Sequence, residues 1–149
     1  MVTLRSAVEA DATRIRSLLE SNSLPTSDLA SAQPEFIVAC EGDTVIAIGA
    51  LQRFGTTALL RSVAVDASRR GGGLGRNIVL SLEDRARERG ITELVLLTQT
   101  AARFFDELGY RAVERQSVPA AVLSSEEFRS LCPASAVCMS KTLMKSGAL

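Results

Sequence analysis

Arg70, Gly71, Gly72, Gly73, Leu74, Gly75 and Arg76 follow one another between an alternating apolar segment and a segment of helical periodicity. Glycines let a chain turn tightly and leave its amide N–H groups uncovered. A helix that starts directly after them adds four unpaired N–H groups and the positive end of its dipole. Such a loop is a cradle for a phosphate group, and Arg69, Arg70 and Arg76 add formal positive charge around it. A basic turn whose glycines only connect is the plainer reading; the strand before and the helix after favour anion binding. Two other phosphate loops fit poorly. A Walker loop closes on Gly-Lys-Ser/Thr, whereas this one closes on Gly75-Arg76-Asn77. A dinucleotide fingerprint belongs to a first βαβ unit, and here two hairpin-forming strands come first.

The chain has no histidine and one tyrosine, Tyr110. Ser/His/Asp chemistry and histidine metal ligation are therefore excluded. An arginine within an apolar strand is costly unless paired. Arg61 is thus expected either to grip a substrate carboxylate or oxyanion with its planar fork, or to form an internal salt bridge. Ser62 beside it is a weaker candidate for the substrate. Glu35, at the mouth of its strand, and Glu41 are the carboxylates considered for general-base work, and either also suits an ordinary surface charge. Cys40, Cys132 and Cys138 could in principle hold a soft metalloid; the reading preferred is small buried hydrophobes.

Hydrophobic period then supplies the elements. Strands are predicted at 2–5, 36–40, 45–51, 56–65, 94–97, 110–115 and 136–143, and helices at 10–20, 28–31, 74–89 and 101–108. Gly42-Asp43 between two apolar runs marks a hairpin. Ser124 with Glu127 three residues on predicts a capping box that opens a last helix. Period two places Leu59, Arg61, Val63 and Val65 on one face of their strand. Residues 144–149 are expected to fray. Hairpins early and crossovers late give an α/β fold with a mixed twisted sheet of about six to seven strands flanked by helices, in a single domain over 1–149.

Arg70-x-x-Gly73-x-Gly75 after the strand Leu60-Arg61-Ser62-Val63-Ala64-Val65 resembles the acyl-CoA-binding motif of the GCN5-related N-acetyltransferases (GNAT). A second segment, Ala101-Ala102-Arg103-Phe104-Phe105-Asp106-Glu107-Leu108-Gly109-Tyr110, resembles the part of that superfamily after the fifth strand. The stretch 131–141 and Leu97-Thr98-Gln99-Thr100-Ala101 are similar to the arsenic-resistance N-acetyltransferase subgroup, the latter also to short acetylglutamate-synthase-type proteins. The resemblance implies a GNAT-like fold and direct transfer of acetyl from acetyl-CoA to the amine of a small molecule. An amino acid or an arsenic- or phosphorus-containing analogue is the acceptor it suggests.

In that resemblance the main chain from Arg70 through Arg76 binds the pyrophosphate. Val63, Ala64 and Val65 diverge from the next strand and pair with the pantetheine arm, and the Val65 N–H meets the thioester carbonyl. Thr98 stands where many relatives carry Asn, and Phe105, next to Phe104, stands where a tyrosine acid is common. Phe105 cannot donate a proton, so water or another group protonates the thiolate, or it leaves unprotonated. Two other functions share these motifs: a non-catalytic acyl-CoA or metalloid-thiol sensor, and a protein N-acetyltransferase.

Of 149 residues, 17 are Lys or Arg and 17 are Asp or Glu, so the net charge is zero. That speaks against nucleic-acid binding by bulk electrostatics. The N-terminus lacks the pattern of a signal peptide, and no apolar stretch approaches bilayer length. Three cysteines do not make a disulfide scaffold. A cytoplasmic enzyme is expected, with no metal, no membrane and no nucleic-acid partner. Folds of this kind commonly form homodimers, for which a terminal strand at 136–143 would offer an edge.

Overall fold

In a computed structural model, residues 1–131 and 135–143 are described. Strands β2 (Glu35–Glu41), β3 (Thr44–Phe54) and β4 (Thr57–Val65) form an antiparallel meander. Its turns fall on Gly42 and Gly55, both at positive φ (61° and 68°), a conformation that side chains with a Cβ rarely take. Strand β1 (Val2–Ser6) pairs antiparallel with β2, after which α1 (Ala12–Ser21) and α2 (Leu29–Ala32) intervene. Helix α3 (Leu74–Glu88) then crosses over and returns the chain parallel, into β5 (Glu93–Thr98). After α4 (Ala102–Glu107), β6 (Arg111–Ala112), α5 (Ala120–Leu123) and β7 (Val137–Thr142), the seven-stranded sheet reads β1-β2-β3-β4-β5-β7-β6. The mixed sheet expected from the sequence is thus observed.

Helix α3 covers one face. Ile78, Val79, Leu82 and Ala86 form its buried stripe and pack on Ala47, Leu60, Leu94 and Leu96. The helix sits so close to β3 that a Cβ on Gly49 would lie 2.4 Å from Ile78 Cγ2 and 2.8 Å from Leu82 Cδ1. On the other face, Ile15, Leu18 and Leu19 of α1 pack on Val38, Ile48 and Ala64. Next to them, Val118, Val122 and Phe128 cover Leu59, Val95 and Cys138.

Four expectations need correction. Strand β4 carries one extra residue: Ala64 faces Ile48 and Arg61 faces Ala50, so Ser62 and Val63 share the single partner Gly49. Ser62 takes up the excess at φ 60°, as a β-bulge does. Alternation therefore slips, and Arg61 does not share a face with Val63 and Val65, which pack with the α3 cluster. The strand expected at 110–115 shrinks to β6, because Tyr110 turns inward with its N–H on the Phe105 carbonyl (3.0 Å) and Glu114 begins a 3-10 turn. The capping box does not form: Ser124 ends α5, and it is the Ser125 hydroxyl that accepts the Phe128 N–H before a π-helical turn over Glu127–Leu131. Finally, β7 is no free edge, since it lies between β5 and β6. No helix among the described residues is long and apolar enough to cross a membrane. Residues 144–149, expected to fray, lie outside the described residues, as does Cys132.

Candidate functional site

Strands β4 and β5 are parallel neighbours for only three residue pairs, ending at Leu59 and Val95. Beyond them the two strands diverge. The gap opens a cleft of about 730 Å³ lined by residues 60–65 of β4, 96–101 at and beyond the end of β5, and 22–27 after α1. Arg70, Gly75, Phe104, Phe105, Glu127 and Ala136 complete its wall. Diverging parallel strands leave main-chain groups unpaired, and an extended ligand can take their place as a strand would. The Asp66 N–H donates to the Ile46 carbonyl at 2.9 Å, toward β3. Successive strand amides point to opposite sides, so the N–H of Val65 turns away from β3, into the gap.

The glycine-rich loop stands at one end of this cleft. Gly73, at φ 82°, is the residue before α3 and makes no side-chain cap. The first backbone bond of the helix runs from the Asn77 N–H to the Gly73 carbonyl at 3.0 Å. The N–H groups of Gly73, Leu74, Gly75 and Arg76 therefore precede the helical ladder and carry the positive end of its dipole. Gly71, Gly72 and Gly73 are exposed, and Gly71 is also at positive φ (87°). Leu74 sinks its side chain into the core and offers the loop only its amide. A Cβ on Gly75 would lie 3.4 Å from Phe104 Cζ and 3.7 Å from Val65 Cγ2, in ordinary contact, so that a side chain extending further would press on the junction of loop, β4 and α4.

The three arginines around the loop differ. Arg69 is paired with Glu41. Arg70 donates to Asn22 Oδ1 at 2.7 Å, which ties the loop to the end of α1. Arg76 is exposed on the first turn of α3. Asp66 anchors the start of the loop by accepting from Arg14 (2.6 Å) and from the Ser68 N–H and hydroxyl. The Ser68 bonds, with Arg14, hold its carboxyl down to about 2.

Along the β5 wall, the Thr98 hydroxyl accepts the Ala101 N–H at 3.0 Å and caps the approach to α4. Phe105 is buried and meets Phe104 edge-on at 5.0 Å and Tyr110 at 5.6 Å. Tyr110 lies deeper, 1% exposed, and its hydroxyl donates to Glu83 at 2.8 Å. Burial, with the Glu83 charge beside it, raises that phenol well above its ordinary value. Tyr110 is therefore a core residue, and Lys141, bound to Glu83 and the Leu108 carbonyl, closes over it.

At the other end of the cleft the Arg61 side chain is fully buried. It donates to both oxygens of Asp28 at 2.6 and 2.7 Å and to Gln52 Oε1 at 2.9 Å. An internal salt bridge thus holds the guanidinium. Ser62 Oγ accepts from Arg61 Nε at 3.3 Å. Glu127 also faces Arg61, with 3.8 Å between Oε1 and Nε, and lines the cleft while 5% exposed. Burial pushes its carboxyl up to about 7, against the nearby Arg61 charge. In the sequence Glu127 is marked only as the acidic half of the expected capping box, a structural role; the fold brings it beside β4.

Glu35 is not brought to the cleft. Its carboxylate is paired with Arg85 and Arg89 at the far end of α3 from the loop, over a separate hollow. That removes it from the position a base would need. Glu41 is taken up by Arg69 on the surface. Cys40 and Cys138 are buried and belong to different clusters on the sheet, and burial raises the Cys138 thiol. No metal-binding group occurs among the described residues. The residues the sequence missed are those of 22–27, above all Asn22, which binds Arg70 and stands 3.5 Å from the Val65 carbonyl.

Residues 6–110 match the model of the acetyltransferase (GNAT) family. A glucosamine 6-phosphate N-acetyltransferase of Trypanosoma brucei brucei is 36% identical over 58 residues, 38% of this chain and 40% of that protein. The matched region thus spans well under half of that relative. Among solved structures, N-acetylglutamate synthase from Neisseria gonorrhoeae, complexed with coenzyme A and N-acetyl-glutamate, superposes with a TM-score of 0.84 at 20% identity. That likeness covers 97% of this chain and 36% of the synthase chain and concerns the fold. Rv2747 from Mycobacterium tuberculosis, in complex with CoA and NLQ, gives a TM-score of 0.80 at 26% identity, covering 95% of this chain and 99% of that one.

Proposed function

The chain belongs to the acetyltransferase (GNAT) family, and on that premise we propose that it transfers acetyl from acetyl-CoA to the amine of a small, amino-acid-like molecule. The observation that carries the reading is the divergence of β4 from β5 beyond Leu59 and Val95, with the open N-terminus of α3 at one end of the gap. The amides from Gly71 to Arg76 suit a diphosphate, with Arg70 and Arg76 beside them. Val63, Ala64 and Val65 offer main chain to the pantetheine arm, between Thr98, Phe104 and Phe105. The ligand supplies an activated thioester; the chain supplies position and charge stabilisation. The inward N–H of Val65 suits the carbonyl oxygen as negative charge develops on it, a contribution of about 3 kcal/mol for one such donor. Phe105 holds no proton, so the sulfur departs as thiolate and takes its proton from water.

One structural neighbour supports an amino-acid acceptor, since it is named an N-acetylglutamate synthase and holds N-acetyl-glutamate with coenzyme A. Arsenic- and phosphorus-containing amino-acid analogues fall within the same acceptor chemistry, and the thiol groups do not add to it, since Cys40 and Cys138 are buried apart. The test is thiol release from acetyl-CoA across a panel of amino acids, these analogues, glucosamine 6-phosphate and an N-terminal peptide, with products identified by mass spectrometry. Acetylation of an amino-acid-type amine in preference to the peptide is expected. Absence of turnover with every amine, or preference for the peptide, contradicts the reading.

A further inference from the structure

Glu127 is the single carboxylate among the described residues that line the cleft. The cleft's other charged side chains are Arg61 and Arg70, and neither can take up a proton from an ammonium ion. A structural role as counter-ion would be the plain explanation for a buried glutamate. The hydrogen-bonded part of that role belongs to Asp28, which binds the Arg61 guanidinium through both its oxygens, whereas Glu127 pairs with it only at 3.8 Å, beyond hydrogen-bond distance. Its side chain is 7% exposed, and no buried side-chain oxygen among the described residues is left without a partner. Glu127 is thus a largely buried carboxylate in the wall of the cleft. The acidic groups expected from the sequence, Glu35 and Glu41, are both consumed by arginines elsewhere.

We propose that Glu127 is the general base of the acetyl transfer, and that it binds and deprotonates the acceptor's ammonium group. The inference rests on the acetyl-transfer reading given above. One ammonium proton passes to the Glu127 carboxylate. The freed nitrogen lone pair forms the C–N bond, the C–S bond breaks, and its electron pair leaves on sulfur. The second nitrogen proton goes to the thiolate by way of water, and Glu127 returns its proton to solvent. The charged groups facing Glu127 are Arg61 on β4 and Asp28 ahead of α2. Burial keeps its proton affinity near neutrality, where a base exchanges protons with an amine efficiently. Arg61 and Asp28 are positioning residues: they hold the 22–27 wall and β4 around it.

The experiment has two readouts. In the ligand-free protein, the carboxyl carbon signal of Glu127, assigned by its loss in Glu127→Gln, is expected to titrate near pH 7; titration at the ordinary 4.5 overturns the proposal. With acetyl-CoA and a competent amine, E127Q is expected to lose about 100-fold or more in kcat/KM and the rising limb of the pH profile near 7, with acetyl-CoA affinity unchanged. Glu127→Asp, which withdraws the carboxylate by one methylene, is expected to keep the limb and lose about tenfold in kcat; it decides the matter if the Gln variant does not fold. Wild-type rates and an unchanged limb in either variant overturn this proposal alone. Absence of turnover in the wild-type protein overturns it together with the acetyl-transfer reading.

Discussion

Asp28 and Arg61 stand 33 residues apart in the chain and meet in a buried, two-pronged ion pair at 2.6 and 2.7 Å, both side chains within 3% of full burial. The pair fastens the start of α2 to the bulged part of β4, and so fixes the wall of the cleft made by residues 22–27.

Removal of one partner of a buried pair costs about 3–5 kcal/mol, and loss of Asp28 still leaves Glu127 3.8 Å from the guanidinium and Gln52 bound to it, so the cost falls toward the lower end. Asp28→Asn is therefore expected to lower the unfolding free energy by about that amount, read from the urea midpoint at unchanged slope. A loss under 1 kcal/mol would show that the pair is dispensable for the fold.

Gly49 permits α3 to approach β3. A Cβ there meets Ile78 and Leu82 at 2.4 and 2.8 Å, so Gly49→Ala is expected to destabilise by about 1–3 kcal/mol through overpacking. Thermal unfolding monitored by circular dichroism checks this; an unchanged midpoint would place the helix farther from the strand.

Gly75→Val tests the narrow junction of loop, β4 and α4. Its branches would press on Phe104 and Val65, already 3.4 and 3.7 Å from the Cβ position. Acetyl-CoA affinity, measured by calorimetry, is expected to fall at least tenfold, whereas Arg103→Ala, on the exposed side of α4, is expected to leave it unchanged. Equal affinity in all three proteins contradicts the assignment of the cleft.

Stability should also depend on pH through Glu127. Its folded-state value, about 7, lies above the ordinary 4.5, so the folded protein binds the extra proton. The resulting stability is fully present below pH 4.5 and is lost as pH rises through 7. Relative to E127Q, the wild-type protein is expected to lose on the order of 2 kcal/mol between those limits, with water entering the cleft discounted. A parallel pH dependence in the two proteins would contradict it.

Much of this was legible in the residues themselves. The meander, α3 and β5 followed from period and glycine placement, because each buries one continuous apolar stripe. The anion cradle from Arg70 to Arg76 could be read since its physics is local: uncovered amides followed by a helix. What could not be read was non-local. The bulge at Ser62 arises from one extra residue opposite Gly49, and no composition announces it. Arg61 in an apolar strand requires a partner, but whether that partner is a substrate or an internal carboxylate depends on where α2 settles. Glu127 acquired its surroundings from β4, 66 residues earlier in number, and Glu35 lost its candidacy to two arginines on α3.

If the amides that open α3 hold the diphosphate, a crystal structure with acetyl-CoA locates it there. The diphosphate oxygens are expected within about 3.2 Å of the N–H groups between Gly71 and Arg76, and the thioester oxygen on the N–H of Val65. A diphosphate bound away from this loop, or a thioester outside the gap between β4 and β5, would contradict that placement.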